Sequence, residues 1–383
     1  MTAKAPQLTG LLQQLIALPS ISCTKPELDQ GNRNVINTLA NWLEDLGFTA
    51  EIQPLNSDGS KANLIATIGK GSNGLVLAGH TDTVPFDENC WNYDPFKLTE
   101  ADGRLYGLGT ADMKSFFALI IEAIRDLDLS SLQQPLIILA TADEETSMSG
   151  AKAVSASHLS GARFALIGEP TGLKPVRMHK GMMMEAIKLT GLSGHSSNPA
   201  LGNSALEAMH MVMAELMKWR EELQNTNKNP LFEIPVPTMN LGHIHGGDNP
   251  NRICGHCELQ IDIRPLPGMQ LSDLRGELEH RLYTSLRDTG ISYETIALFD
   301  GVAAMETAAS SAIVKTTEEL TGNTAVSAAY ATEAPYLNAI GVETVVLGPG
   351  NIQQAHQPDE YIDTIMMDKY IKLVRKLIKR HCM

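Results

Sequence analysis

Two apolar runs that end in polar side chains decide the fold of this chain: Leu75-Val-Leu-Ala-Gly-His80 and Leu136-Ile-Ile-Leu-Ala-Thr-Ala-Asp-Glu-Glu145. Phe164-Ala-Leu-Ile-Gly-Glu169 has the same form, and Val345-Val-Leu-Gly-Pro-Gly350 leads to His356. Short apolar runs of this kind are typical of buried parallel strands. Open α/β sheets bind ligands beyond the carboxyl ends of their strands, so these polar side chains are expected at one edge of a sheet.

The order of predicted elements indicates two domains, one inserted into the other. In residues 1–180, helices alternate with apolar strands, which predicts an α/β catalytic domain with a mostly parallel, mixed sheet flanked by helices. Residues 181–299 have the order β-α-β-β-α-β, typical of a ferredoxin-like α+β domain with both helices on one face of an antiparallel sheet. The α/β pattern returns in residues 300–383. A length of 383 residues also favours two domains.

Composition excludes several classes of partner. The net charge of −14 argues against a nucleic-acid partner, whose phosphates require clustered Lys and Arg. No apolar run approaches the roughly 18 residues that a membrane span needs, so no membrane partner is expected. The first residues lack the apolar region of a signal peptide, and a cytoplasmic protein is predicted.

The odd number of cysteines, five, gives no disulfide framework. Cys254-Gly-His-Cys257 has the spacing of a redox or zinc motif, but it opens a predicted strand rather than a helix, and no second pair completes a zinc knuckle. Neither role is favoured.

Five side chains form a candidate set of metal ligands: His80, Asp112, Glu145, Glu169 and His356. Asp112 stands at the mouth of a predicted helix, where a carboxylate is well placed to bridge two cations, although a plain helix cap is the alternative. Asp82, two residues after His80, could orient the imidazole through its second ring nitrogen. The alternative is that Asp82 only forms a turn and His80 only caps it, which explains the same spacing.

Asp143-Glu144-Glu145 is a stronger indication of a metal site than the stretches around Asp112 and Asp82. Three consecutive carboxylates repel one another and require cations or full solvation. Adjacent residues at a strand end point different ways. One Glu can therefore bind a metal while its neighbour stays free as a base. Hydrolysis is the reaction type that such a site favours.

A nucleotide-binding oxidoreductase is the rival from another class. Gly107-Leu-Gly109-Thr-Ala-Asp112 lacks the third glycine of the dinucleotide fingerprint, because Asp112 occupies that position. Gly69-Lys-Gly-Ser-Asn-Gly74 precedes a predicted strand instead of a helix. The sequence therefore disfavours this class.

The chain resembles the M20 family of dinuclear metallohydrolases over nearly its whole length. The stretches that carry the resemblance are Leu77-Ala-Gly-His-Thr-Asp-Thr-Val-Pro85, Tyr106-Gly-Leu-Gly-Thr-Ala-Asp-Met-Lys114, Thr141-Ala-Asp-Glu-Glu-Thr146, Ile167-Gly-Glu-Pro-Thr171, Ser193-Gly-His-Ser-Ser197, Asn251-Arg-Ile-Cys254, Asp262-Ile-Arg-Pro-Leu-Pro-Gly268, Ala331-Thr-Glu-Ala-Pro335 and Leu347-Gly-Pro-Gly350.

This resemblance implies two divalent metal ions per subunit, Zn²⁺ with Co²⁺ as the alternative. It implies that His80 and Glu169 hold one ion, that Glu145 and His356 hold the other, and that Asp112 bridges them.

It further implies that Glu144 is the general base and that Asp82 is the partner of His80. His195 is expected to stabilise the oxyanion in the active site of a partner subunit, which implies a homodimer. The inserted domain would then serve as a lid and dimerisation domain.

The implied substrate is a small N-acylated amino acid. Arg264 is expected to bind its carboxylate, with Asn251 nearby, although Arg264 could pair only with Asp262 on its own strand. Glu333 is expected to bind a side-chain ammonium such as that of ornithine. Within the family, a deacetylase is favoured by three stretches: Thr332-Glu-Ala-Pro335, Gly242-His-Ile-His-Gly-Gly247 and Ala355-His-Gln-Pro-Asp-Glu-Tyr361. A succinyl-diaminopimelate desuccinylase, an aminoacylase and a carboxypeptidase remain open.

Overall fold

The computed structural model describes residues 5–383 of the chain. The strands are β1 (Thr49–Pro54), β2 (Ala62–Ile68), β3 (Gly74–His80), β4 (Thr99–Ala101), β5 (Arg104–Tyr106), β6 (Leu136–Thr141), β7 (Ala162–Ile167), β8 (Val176–His179), β9 (Met183–Thr190), β10 (Thr238–Gly246), β11 (His256–Arg264), β12 (Ser292–Ala297), β13 (Met305–Glu306), β14 (Val326–Ala328), β15 (Glu343–Val346) and β16 (Tyr361–Asp363). The helices are α1 (Leu8–Ile16), α2 (Arg33–Asp45), α3 (Lys114–Arg125), α4 (Ser149–Ala153), α5 (Ala205–Thr226), α6 (Leu271–Leu286), α7 (Ala312–Thr321), α8 (Ala334–Ala339) and α9 (Thr364–Cys382). Among these helices, none combines the length and apolarity needed to cross a membrane.

The chain divides into two compact units. The larger unit contains the chain up to Arg177 together with Thr307–Val326 and Glu333–Met383. The smaller unit contains Met178–Glu306 and Ser327–Thr332.

The larger unit is built on a mixed sheet with the strand order β1-β2-β6-β3-β7-β15-β8. The four central strands, β6, β3, β7 and β15, are mutually parallel, and the outer strands run antiparallel to their neighbours. Every residue of β3 and β6 is buried, as expected for strands covered on both faces. Helix α3 packs against α1 and α9 in the main core, which explains why Phe116, Phe117 and Ile120 are fully buried.

Strand register brings the carboxyl ends of β3, β6 and β7 together. His80 pairs with Thr141, and Ala78 pairs with Ile167. Residues that follow these three strands therefore emerge at one edge of the sheet. The chain just beyond β7 passes close to helix α3, because a Cβ at Gly168 would lie 2.0 Å from the Phe116 ring.

The smaller unit has the order β9-α5-β10-β11-α6-β12 and an antiparallel sheet ordered β10-β11-β9-β12. This is the ferredoxin-like topology. One stripe of α5, which includes Met209, Val212, Leu216 and Trp219, is buried in its core. The predicted fold class, an α/β layer plus a separate antiparallel α+β unit, is confirmed.

Cys254 and Cys257 are free thiols in the core of the smaller unit. The Cys257 side chain is completely buried, and burial raises the pKa of its thiol. A thiol with a raised pKa is a poor nucleophile at neutral pH, so the environment of this residue favours a packing role.

Candidate metal centre

The structure brings the five predicted ligands together at the carboxyl edge of the larger unit's sheet. His80 ends β3, Glu145 follows β6, and Glu169 follows β7. Asp112 lies in the loop between β5 and α3, and His356 lies between β15 and β16. Three ligands therefore come from strand ends and two from loops.

Asp112 lies between the two histidines. Its Oδ1 atom is 3.0 Å from His80 Nε2, and its Oδ2 atom is 3.6 Å from His356 Nε2. Glu169 Oε1 is 3.7 Å from His80 Nε2, while Glu145 Oε2 is 3.1 Å from His356 Nε2. The two carboxylate oxygens of Asp112 thus face different imidazoles, which is the arrangement that a bridging carboxylate requires.

Two overlapping sets of side chains place ligand atoms within 4.8 Å of one another. One set is His80, Asp112 and Glu145; the other is His80, Glu144 and Glu169. Glu144, expected as a base, therefore lies among the candidate ligands. The position of Glu144 is compatible with both roles, metal ligand and general base.

The ring of His80 is held by Asp82 and is buried. His80 Nδ1 lies 3.0 Å from the main-chain oxygen of Asp82 and 3.7 Å from its carboxylate Oδ1. A carbonyl oxygen can only accept, so Nδ1 carries the hydrogen and donates it. The sequence predicted the carboxylate as the partner, whereas the nearer acceptor is the main chain of the same residue.

With its hydrogen on Nδ1, the neutral ring of His80 has no hydrogen on Nε2, the nitrogen that faces the carboxylates of Asp112 and Glu169. In a neutral ring, Nε2 would hold a lone pair facing the Asp112 oxygen 3.0 Å away, which is repulsive unless a proton or a cation lies between them. Burial lowers the pKa of His80, but the hydrogen bond to Asp112 and the nearby carboxylates outweigh it, so the pKa is raised well above its usual value.

Four neighbouring groups are shifted in the same sense, toward holding protons. Asp112 is the exception: burial acts to raise its pKa, but the hydrogen bond to His80 and the charges of both histidines lower the pKa overall. Burial raises the pKa of Asp82 to about 7. Burial and the charge of Glu169 raise the pKa of Glu144 well above its usual value, and burial with Asp112 does the same for the pKa of Glu169. The hydrogen bond to Glu145 raises the pKa of His356 to about 9.

Some oxygens in this cluster have no hydrogen-bond partner. Within residues 5–383, Asp82 Oδ1 and Glu145 Oε1 are buried and find no such partner. An unpaired buried carboxylate oxygen is costly, and a cation would relieve that cost. Carboxylate oxygens and imidazole nitrogens, without thiolates, are donors that suit hard or borderline divalent ions. The residues therefore fit a divalent metal centre.

Asp143 has a different role from the two glutamates that follow it. Its carboxylate is 2.7 Å from Lys61 Nζ and accepts hydrogen bonds from Ser22 Oγ and Ser149 Oγ. Lys61 also pairs with Asp29. A protein cation thus neutralises the first of the three consecutive carboxylates. Sequence reasoning missed Lys61, which stands 82 residues earlier and belongs to no motif.

Glu333 lies in the larger unit and is almost completely buried. Thr141 Oγ1 donates a hydrogen bond of 2.6 Å to Glu333 Oε2, whereas Oε1 has no hydrogen-bond partner in the part of the chain that the structure describes. Burial raises the pKa of Glu333. An unpaired buried oxygen is suited to a cationic group of a ligand.

The other three predicted site residues belong to the smaller unit. Arg264 Nε lies 3.0 Å from Asp262 Oδ2, so the pairing along its own strand is formed. His195 is exposed, and its Nδ1 lies 2.8 Å from Ser197 Oγ. Asn251 is exposed, and its main-chain oxygen accepts a hydrogen bond from the main-chain N–H of Ser196.

Comparison with known proteins gives matches over the full chain. The sequence profile described as peptidase family M20/M25/M40 matches residues 76–380. An acetylornithine deacetylase of Proteus mirabilis is 51% identical over 383 residues, which cover 100% of this chain and 99% of that protein.

Two solved structures share the fold. A tripeptidase from Staphylococcus aureus superposes with a TM-score of 0.77 at 20% identity, covering 98% of this chain and 97% of the other. A peptidase from Bacillus subtilis, described as a dinuclear metal-binding member of the M20 family, superposes with a TM-score of 0.66 at 15% identity, covering 97% and 98%.

Metal uptake by the metal-free protein is expected to release protons. Asp82, with a pKa of about 7, and His356, with a pKa of about 9, hold protons near neutral pH, and these protons compete with a cation. Affinity for Zn²⁺ should therefore rise with pH from 6 to 8. Calorimetric titrations in buffers of different ionisation enthalpy measure this release. Binding heats that do not depend on the buffer would contradict the expected protonation of the cluster.

Proposed function

The chain belongs to peptidase family M20/M25/M40, and from this membership we propose that it hydrolyses N2-acetyl-L-ornithine to L-ornithine and acetate. The observation that carries the choice of reaction is the full-length likeness to the Proteus mirabilis acetylornithine deacetylase, at about half of all positions. L-Ornithine is a precursor of arginine, so the reaction belongs to amino-acid biosynthesis. The resemblance read from sequence motifs is confirmed at the level of the family.

We propose that two divalent ions, Zn²⁺ or Co²⁺, occupy the cluster. His80 and Glu169 would hold one ion, Glu145 and His356 the other, and Asp112 would be shared. Support comes from the two carboxylate oxygens of Asp112, which face different histidines. When bound, such ions act as Lewis acids that lower the pKa of water and polarise a carbonyl group.

Glu144 is proposed as the group that moves the proton. Its half-buried carboxylate has a raised pKa, and a carboxylate of raised pKa is a stronger base near neutral pH. Glu144 would accept a proton from the attacking water and deliver it to the departing amine. Asp82 would fix the ring of His80 through its main-chain oxygen and keep Nε2 directed at the cluster.

Recognition of the substrate is assigned to three residues. The unpaired Oε1 of Glu333 would bind the side-chain ammonium of ornithine. Arg264 would bind the α-carboxylate, with Asn251 as a hydrogen-bonding partner of the substrate. The guanidinium of Arg264 is already paired with Asp262 through Nε, which leaves its terminal nitrogens as the donors for a carboxylate.

His195 is proposed to stabilise the developing oxyanion in the active site of a partner subunit. Its Nδ1 lies beside Ser197 Oγ, which leaves Nε2 for the substrate. The working unit would then be a homodimer.

The first test compares substrates. With Zn²⁺ or Co²⁺ added, the protein is expected to cleave acetylornithine with a higher kcat/KM than acetylmethionine or succinyl-diaminopimelate, measured side by side by amine release. Replacing Glu333 by Gln removes the negative charge that would hold the ammonium. KM for acetylornithine should then rise far more than KM for acetylmethionine.

Two results would count against this assignment. Faster cleavage of succinyl-diaminopimelate than of acetylornithine would make the chain a desuccinylase. An equal rise of both KM values in the Glu333→Gln variant would show that Glu333 does not bind the side-chain ammonium of the substrate.

Replacing Glu144 by Ala is expected to lower kcat at least about a hundredfold, the lower range for losing a general base, while metal content stays at the wild-type level. Metal content is measured by atomic emission on dialysed protein. A variant that has lost one equivalent of metal would identify Glu144 as a ligand instead of a base. Glu144 is close enough for that role, because ligand atoms of His80, Glu144 and Glu169 lie within 4.8 Å of one another.

Hybrid dimers test the role of His195. The Glu144→Ala and His195→Ala variants should each be nearly inactive. Mixed and allowed to exchange subunits, they should recover activity, because one site of each hybrid then has Glu144 from one subunit and His195 from the other. Subunit exchange is followed by mass with a tagged copy. Exchange without recovery would place His195 outside the partner's site.

A further inference from the structure

Glu360 is a buried carboxylate outside the proposed ligand set, and it binds the loop that carries Asp112. Only 2% of Glu360 is exposed. Its Oε2 atom accepts a hydrogen bond from the main-chain N–H of Gly109 at 2.9 Å. Its Oε1 atom accepts from the N–H groups of Ala111 at 2.6 Å and Asp112 at 2.9 Å. Both carboxylate oxygens are therefore occupied by the loop.

The main chain of Glu360 binds the same loop. Its carbonyl oxygen accepts from the N–H of Gly107 at 3.0 Å and from Thr110 Oγ1 at 3.2 Å. Together these contacts fix the loop from Gly107 to Asp112 at both ends and in the middle. The residue that does so lies some 250 positions away in the chain.

This loop has little regular structure of its own. Gly107 and Gly109 have φ values of +151° and +86°, which favour glycine, and the segment belongs to no helix or strand. A Cβ at Gly109 would lie 2.6 Å from Lys114 Cε, so the backbone has to pass close to that buried side chain. The loop's N–H groups therefore depend on Glu360 for partners.

Glu360 also follows His356 by only four residues. One short segment thus carries His356 and anchors the loop of Asp112. These are two of the three side chains proposed for the second ion, the third being Glu145. His80 and Glu169 come instead from the ends of β3 and β7, whose positions are set by the central sheet.

We propose that Glu360 is a positioning residue for the second metal ion, the one assigned to Asp112, Glu145 and His356. It sets the position of Asp112 relative to His356 without binding the ion itself. This inference rests on the metal assignments made under Proposed function.

The test measures the two metal equivalents separately. Full-length protein is stripped of metal and dialysed against graded free Zn²⁺, and bound zinc is measured by atomic emission. In the Glu360→Gln variant the side-chain shape is kept, but the amide NH₂ cannot accept from the loop N–H groups. The second equivalent should weaken roughly 10- to 100-fold, as for other residues that orient ligands. The first should weaken by less, because it shares Asp112 but would also be held by His80 and Glu169.

The Asp363→Asn variant is the matched control. Asp363 lies three residues further along the same segment, and its partner is Arg104, with both side chains more than two-fifths exposed. Both zinc equivalents should bind this variant as they bind the wild type.

Wild-type protein that binds fewer than two equivalents would defeat the proposed two-ion centre itself. Wild-type protein with two equivalents, and a Glu360→Gln variant with the same two affinities, would overturn only the role of Glu360. Equal weakening of both equivalents, with a lower melting temperature of the metal-free variant, would also overturn it, because that result indicates a general structural role.

A milder variant decides the matter if Glu360→Gln does not fold. Thr110→Val removes the hydroxyl that donates to the main-chain oxygens of Gly107 and Glu360. Selective weakening of the second equivalent supports the proposal, and unchanged binding overturns it.

Discussion

Several carboxylates lie side by side where buried strands end, and their mutual repulsion governs the chemistry of this centre. Parallel strands β3, β6 and β7 end at one edge, and their register places His80, Glu145 and Glu169 in one cluster with Asp112. Carboxylates removed from water repel one another strongly, and protons or cations have to compensate. Lys61 compensates Asp143 at the margin of the cluster, while burial and neighbouring carboxylates raise the pKa of Asp82 and of Glu169.

Strands and loops contribute differently to this centre. His80 and Glu169 are placed by strands that are buried and hydrogen-bonded on both sides, so their positions follow from the sheet. Asp112 and His356 lie in loops, and His356 has a φ of +60°, a left-handed conformation that is uncommon for a residue other than glycine. Unusual backbone of this kind persists only where surrounding contacts hold it, and such positions cluster at functional sites. The hydrogen bonds that Glu360 accepts hold the other loop, the one that carries Asp112.

The residues proposed for catalysis and some of those proposed for substrate recognition belong to different units. All proposed metal ligands, together with Glu144 and Glu333, belong to the larger unit, whereas His195, Asn251 and Arg264 belong to the smaller one. The fold alone does not choose a substrate, since the tripeptidase of similar structure shares 20% of its residues with this chain. The choice of acetylornithine comes instead from the relative that is 51% identical over the full chain.

The α/β layer, the β-α-β-β-α-β unit, the family and the candidate metal ligands follow from the sequence alone, because apolar periodicity and short motifs are local properties. The sequence did not reveal the pairing of Lys61 with Asp143, the bonds from Gly109, Ala111 and Asp112 to Glu360, or the main-chain oxygen that orients His80. These contacts join residues far apart in the chain or depend on how a turn directs its carbonyl groups. Only the tertiary structure decides them, since hydrogen bonds and ion pairs are fixed by distances in space that no local pattern encodes.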